Sequence, residues 1–333
     1  MELFSSAFVL ADAVPRDGVT DASDAIQALI DANPNRTLFF PDGVYRLTKP
    51  VCTPADPAKS VSLRLGDFAV FRADAHWDSP EAMVRLGGKD PANDIRSCGS
   101  CYGITGGVLD GSGVAKGLSI DSGRETAVRQ LSMKNVTVGL HIKYGANSGS
   151  SDADVREVNI VGTGTPGSVG VLVEGYDNTF SNMRIANVFT GFDIRSNGNA
   201  LRSIHPLYTS PYDRYRDSCA FVVRGVGNWL HTCYSDEFAT GFCLTGDGPN
   251  HFADCFAMWY SSRGDHHTAF AADGRFCATV STPLVSFRPD VPATFLRVGE
   301  KGGSGVVIDP NFNPVPLTDD ALQDYLQGKI VTM

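Results

Sequence analysis

A short apolar signature recurs along this chain: a glycine or alanine, then an apolar residue, any residue, and a second apolar residue. It reads GLSI at Gly117, GLHI at Gly139, GVLV at Gly170, GFDI at Gly191, AFVV at Ala220 and GFCL at Gly241, in steps of 22, 31, 21, 29 and 21 residues. A second pattern keeps step with the first. Val128, Val155, Phe180, Leu201, Leu230 and Phe252 are each followed three positions on by Leu131, Val158, Met183, Ile204, Cys233 and Cys255. A unit this short cannot bury its apolar face alone, so its repetition signals stacked coils. Parallel strands then send identical columns inward and expose the columns between them. The pattern predicts an all-β chain, a right-handed parallel β-helix, in which the shorter steps are single coils and the longer ones carry inserted loops. A core that grows along one axis accommodates all 333 residues in one domain. Residues 1–50 form a cap and first strands, 51–290 the coils, and 291–333 the final coils and a closing tail. A short helix is expected in that tail from Thr318 to Gln327, with Thr318 as its N-cap.

Ahead of the coils lies DGVTDASDAIQALIDANPNRTLFFPDGVYRL, starting at Asp17. Asp21 to Ser23 can cap a helix that turns Ala25, Ile26, Leu29 and Ile30 to one side; Asn33 to Asn35 stops it, and Thr37 to Phe40 reads as a strand. A helix there plugs the open end of a solenoid. D-G-V-T-D at Asp17, A-I-Q at Ala25 and F-P-D-G-V-Y-R-L at Phe40 resemble the N-terminal cap of pectate-lyase-superfamily β-helix proteins. That group includes sequences related to glycoside hydrolase family 28 and phage tailspikes. The cap motif covers residues 17 to 47, and the coil pattern carries the resemblance to about residue 290. The resemblance implies a β-helix, a sugar substrate and a homotrimer. It implies no catalytic residue: the polygalacturonase series N-T-D, D-D, G-H-G, R-I-K is absent, as is the Arg-x-Pro-x-x-Arg pattern of pectate lyases. The expected fold is also similar to that of trimeric inulin fructotransferases, which place carboxylates near a subunit interface, but no position here matches theirs.

Composition narrows the function classes. A net charge of −9 provides no electrostatic footprint for nucleic acid. No segment reaches the roughly 20 apolar residues of a membrane helix, and the apolar stretch at the N-terminus has no basic region before it. Most of the eight cysteines stand in apolar, strand-like text such as FCLTG and DCFAMW, where Cys acts as a small hydrophobe. Reduced thiols and a cytoplasmic setting are the expectation. Cys98 and Cys101 have C-x-x-C spacing, but no second pair and no βαβ pattern accompany them, so neither metal nor other cofactor is expected.

Candidate chemistry gathers in the fourth to sixth coils. One outward column reads Arg129, Arg156, Ser181, Arg202, His231, Ala253; another reads Ser132, Asn159, Arg184, His205, Tyr234, Phe256; between them run Gln130, Glu157, Asn182, Ser203, Thr232, Asp254. Asp236 and Glu237 follow the strand text WLHTCY. Asp236, Glu237, Asp254, His205 and His231 are therefore the candidate catalytic groups. Arg202, Arg184, Tyr234, Trp259, Tyr208, Asp265 and His266 are the candidate substrate contacts. Paired carboxylates about 5 Å apart suit retaining glycoside cleavage, and about 6.5–9.5 Å suits inversion. Trp259 offers a stacking face, and arginine pairs with a uronate or with hydroxyls. Adjacent His266 and His267 point to opposite faces of a strand and would not share a metal. The expected activity is cleavage or rearrangement of glycosidic bonds by carboxylates. The alternatives are β-elimination from a uronate glycan, using His205, His231, Tyr234 and Arg202, and tailspike-like glycan binding without turnover.

Overall fold

The computed structural model describes residues 8–92, 102–246, 248–260, 264 and 266–272, together with the strand segments 277–281, 284–287, 293–298 and 306–308. The chain divides into two compact units, residues 1–163 with 174–179, and 164–173 with 180–333. Each is a stack of parallel strands in register.

In the first unit the helix Ser23–Ala32 lies at the N-terminal end, with Ile26 and Ile30 buried. It ends at Asn33, as the sequence predicts, and Asn35 beyond it takes a left-handed φ of 59°. The start of the helix differs in detail. Ala22 occupies the N-cap, and the Asp21 carboxylate accepts instead from the Ser23 amide and hydroxyl and from the Thr48 hydroxyl. Asp21 thus ties the cap to the first coil rather than closing a capping turn. The signature strands follow, with Leu118 beside both Val84 and Leu140 in register. In the second unit they continue as Val169–Val173, Thr190–Ile194, Cys219–Val223, Thr240–Leu244 and Thr268–Ala272, all parallel. Their inward column is a stack of phenylalanines: Phe192 on Phe221 at 6.0 Å, Phe221 on Phe242 at 4.9 Å, and Phe242 on Phe270 at 5.0 Å between ring centroids.

The second sequence pattern has a spacing of three, whereas a continuous strand alternates with a period of two. The backbone explains it. Gln130 and Glu157 in the first unit, and Asn182, Ser203, Thr232 and Asp254 in the second, all have φ between 51° and 56°. A single left-handed residue turns the chain through a corner between two short strands, so residues on either side of a two-residue outward step both face the core. Val128 and Leu131, Leu230 and Cys233, and Phe252 and Cys255 are all buried. Each such residue costs about 1–3 kcal/mol of backbone strain and persists because the stacked coils over-determine it.

A further column went unread in the sequence. Asn199, Asn228 and Asn250 are buried at successive turns of the second unit. Asn228 Oδ1 accepts from the Asn199 backbone amide at 3.0 Å and from its side-chain amide at 2.9 Å. Asn250 Oδ1 does the same for Asn228, at 3.0 and 3.1 Å. The ladder satisfies amides that leave the strands at each turn and have no water to turn to.

Among the described residues no helix is long and apolar enough to cross a membrane. Cys52, Cys219, Cys233, Cys243 and Cys255 are free thiols, and burial pushes Cys233 up to about 12. Cys98, Cys101 and the expected tail helix Thr318–Gln327 lie outside the described residues.

Replacing Asn228 with Ala removes an acceptor from the Asn199 amide and a donor from the Ser196 carbonyl, which it meets at 3.1 Å. With both groups left buried, the expected loss is about 3 kcal/mol, measured as a lowered denaturant midpoint.

Candidate functional site

The predicted residues separate into two clusters in the second unit. The first stands on Ala200–Leu207 and Tyr234–Asp236, parallel strands in which Asp236 lies opposite Leu207. Here His205 Nε2 meets Asp236 Oδ2 at 3.2 Å, and the Tyr234 hydroxyl meets His205 Nδ1 at 2.8 Å. The two rings also stack, with centroids 3.8 Å apart. A carboxylate can only accept, so His205 carries its proton on Nε2 and donates it to Asp236. Nδ1 is then the lone-pair nitrogen that accepts from Tyr234. The result is a relay from a buried carboxylate, through an imidazole, to a half-exposed phenol.

Asp236 is only 4% exposed, and its Oδ1 is buried without a hydrogen-bond partner among the described residues. Glu237 is 2% exposed, with φ 63°, and its Oε1 accepts from the Tyr260 amide at 2.6 Å. Partial burial raises the Tyr260 phenol, and the charges of Asp236 and Glu237 add to this. Burial pushes Tyr215 up far more, with Glu237 again adding to it. Both carboxylates are thus buried, with little surface for a sugar to meet directly.

The second cluster surrounds the corner beside Trp229–His231 and Pro249–Ala253. His231 and Asp254 form an exposed pair at 3.4 Å, and Arg202 stands opposite His231 in register. Asp254 occupies the left-handed corner position and is exposed.

Several assigned roles need correction. Trp259 is 1% exposed, and its indole N–H donates to the Phe238 carbonyl at 2.6 Å, so it presents no stacking face. Tyr208 is 2% exposed and donates to the Pro211 carbonyl at 2.7 Å, and burial pushes its phenol up to about 12. It packs the loop after Leu207 instead of lining a rim, edge-on to Phe189, Tyr215 and Phe238. In both cases alternation along the strand turns inward a residue whose type suggested a ligand. Arg184 is exposed and donates to the Met183 carbonyl at 3.2 Å. His266 lies 3.3 Å from the Thr268 hydroxyl. Asp265 is outside the described residues.

Sequence reasoning also missed a polar cluster in the first unit. The Asp121 carboxylate, with no exposed surface, receives Arg85 at 2.9 and 2.5 Å, Lys143 at 3.1 Å and the Ser119 hydroxyl at 2.5 Å. Lys143 also binds Glu81, and His141 meets Glu174 at 2.8 Å. Burial lowers the His141 imidazole, and Glu174 offsets only part of that. The signal was present: the residue straight after each signature strand reads Asp121, Lys143, Glu174, Arg195, Arg224, Thr245. A cleft of about 510 Å³ opens elsewhere in this unit, between Asp31, Asp56, Lys59, Lys89 and Ser122; none of the candidate acid/base groups lines it.

These features define the protein's class by fold: a right-handed parallel β-helix. Similar structures are the endo-xylogalacturonan hydrolase of Aspergillus tubingensis (TM-score 0.68, 13% identity, 92% of each chain), the surface adhesin PfbA of Streptococcus pneumoniae (0.60, 14%, 91% of this chain and 87% of that one), and the A-module of the Azotobacter vinelandii mannuronan C-5 epimerase AlgE6 (0.55, 13%, 93% and 96%). No family model and no curated sequence matches the chain.

Because His141 is lowered in the folded state, it binds fewer protons there than when unfolded. Its contribution to stability is complete above the ordinary value of 6.5 and is lost as pH falls through the folded value. His141→Gln is expected to lose less melting temperature than the wild type between about pH 8 and about pH 5. Parallel pH profiles for the two proteins would remove His141 from the account.

Proposed function

We propose that this chain is a glycan-processing enzyme that cleaves or rearranges glycosidic linkages by acid/base catalysis at the Asp236–His205–Tyr234 relay. The observation that carries the reading is the hydrogen-bonded series itself. A buried carboxylate with spare acceptor capacity holds the tautomer of a histidine, and that histidine polarises a phenol within reach of solvent. Tyr234 and His205 exchange the proton with substrate, and Asp236 positions them. A structural neighbour that hydrolyses xylogalacturonan and another that epimerises mannuronan support a glycan as the substrate. The resemblance of the N-terminal cap motif to pectate-lyase-superfamily β-helix proteins supports a homotrimer as the assembly. The free buried thiols suit a reducing compartment.

A second reading follows from accessibility. The two carboxylates that would serve a hydrolase are covered, whereas Tyr234, His205 and the exposed Arg202 can be reached. That distribution favours proton abstraction beside a uronate carboxylate, followed by β-elimination.

Incubation with neutral and uronate-bearing oligosaccharides, read by mass spectrometry and ultraviolet absorbance, separates the chemistries, because only elimination yields an absorbing unsaturated sugar. Tyr234→Phe and His205→Gln are each expected to lower kcat/KM about 100-fold or more. Asp236→Asn should lower kcat with less effect on KM. Full activity of the Tyr234 and His205 variants would remove the relay from the reaction.

A further inference from the structure

Trp229 is 57% exposed on the outer face of its strand, the reverse of the other tryptophans, Trp77 at 7% and Trp259 at 1%. One face of its indole is backed by His251 on the adjacent coil, with ring centroids 4.4 Å apart and planes 26° from parallel. On the coil to the other side its register partner is Ala200, whose side chain ends at a methyl. The indole therefore has a supported face and an open face above a small residue. Adjacent coils lie about 4.8 Å apart, and an alanine leaves the side-chain layer above it empty, so a flat ring can enter and lie against the indole. Two residues beyond Ala200, on the same outward side, stands Arg202, opposite His231 in register.

The arginine differs from its counterparts in the matching column of the first unit. Arg129 and Arg156 are both held by Asp154, at 2.7 and 2.6 Å. Arg202 has no ion pair among the described residues, and the Asp254 carboxylate meets His231 at 3.4 Å. An exposed guanidinium with its fork unused, beside an aromatic face with one side unused, is a complementary pair. The apolar C–H face of a pyranose stacks on an indole, and a carboxylate on that ring matches the guanidinium bidentately.

We infer that Trp229 and Arg202 form a sugar subsite in which a pyranose ring stacks on the open indole face above Ala200 while its acidic substituent pairs with Arg202. The assignment rests on the reading of the chain as a glycan-processing protein and adds where a sugar unit is held and that the unit is acidic. His251 is a positioning residue that supports the indole from behind.

Tryptophan fluorescence tests this directly, because Trp229 is the tryptophan within reach of aqueous iodide. Iodide should quench the free protein, and Trp229→Phe should abolish most of that quenching. Oligogalacturonate or oligomannuronate should at least halve the quenching constant, while a neutral xylo-oligosaccharide of equal length should protect far less. Arg202→Gln, whose exposed side chain leaves folding intact, should weaken binding of the acidic probe about tenfold without changing the weak neutral signal. The subsite is overturned if neither acidic probe protects, if Arg202→Gln binds them as the wild type does, or if the free protein resists iodide because a second copy covers Trp229. Turnover measured alongside separates the two claims. If Tyr234→Phe abolishes turnover but Trp229→Phe leaves KM unchanged, the subsite fails and the relay stands. Protection without turnover of any glycan leaves the subsite standing and removes the enzyme reading.

Discussion

In a stack of parallel coils each strand amide finds its partner one coil away, and this constraint organises everything else in the protein. It fixes register, and register turns the sequence into columns: residues a coil apart become neighbours whatever their chemistry. The apolar columns then fill with stacked rings, as from Phe192 to Phe270, and polar residues at equivalent positions meet side by side. Where the chain must turn, hydrogen bonding is preserved by two devices. A left-handed residue from Gln130 to Asp254 makes one corner, and a buried asparagine from Asn199 to Asn250 satisfies the other. Both are costly in isolation and tolerable only because each is repeated above and below.

The same geometry decides which polar residues do chemistry. On an isolated strand His205, Tyr234 and Asp236 would be two unrelated segments. Stacked one coil apart and just past a corner, they become a relay with separations of 2.8 and 3.2 Å. Burial then divides the labour. Asp236 is the most deeply buried and holds the imidazole, and Tyr234 and His205 keep partial exposure, which suits the proposed contact with a ligand. On the near side of the corner, where side chains stay in solvent, Trp229 and Arg202 offer contact area and charge instead of proton transfer.

How much of this could be read from the sequence follows from which periodicities survive in a single chain. The coil fold was legible because the signature strands and the paired apolar positions repeat at one spacing, and every residue of those pairs, from Val128 to Cys255, is buried. The juxtaposition of His205 with Tyr234 was legible for the same reason, since both fall in one outward column. Depth was not legible. Trp259 and Tyr208 were assigned to ligand by residue type, yet strand parity turns both inward, and parity near an inserted loop cannot be counted reliably from composition. Trp229 was passed over although it shares the outward parity of His231, two residues on. The cluster around Asp121 was missed for another reason: its members alternate in sign from coil to coil, so the column shows a recurring charge and no recurring residue.

Burial also bears on which chemistry the proposed relay would serve. A carboxylate acting as nucleophile or as acid toward a glycosidic oxygen must approach the sugar within hydrogen-bond distance, and deep burial works against that. A carboxylate that orients an imidazole gains from burial, because the low local dielectric strengthens its hold on the ring and keeps competing water away. Asp236 meets the second description, with one oxygen on His205, the other buried, and only 4% of the residue exposed. In the proposed reaction the proton is therefore handled by the histidine and the phenol. The charge that develops on the substrate must be met by groups outside the relay, and the exposed guanidinium of Arg202, across the corner, is of the sign required to meet it.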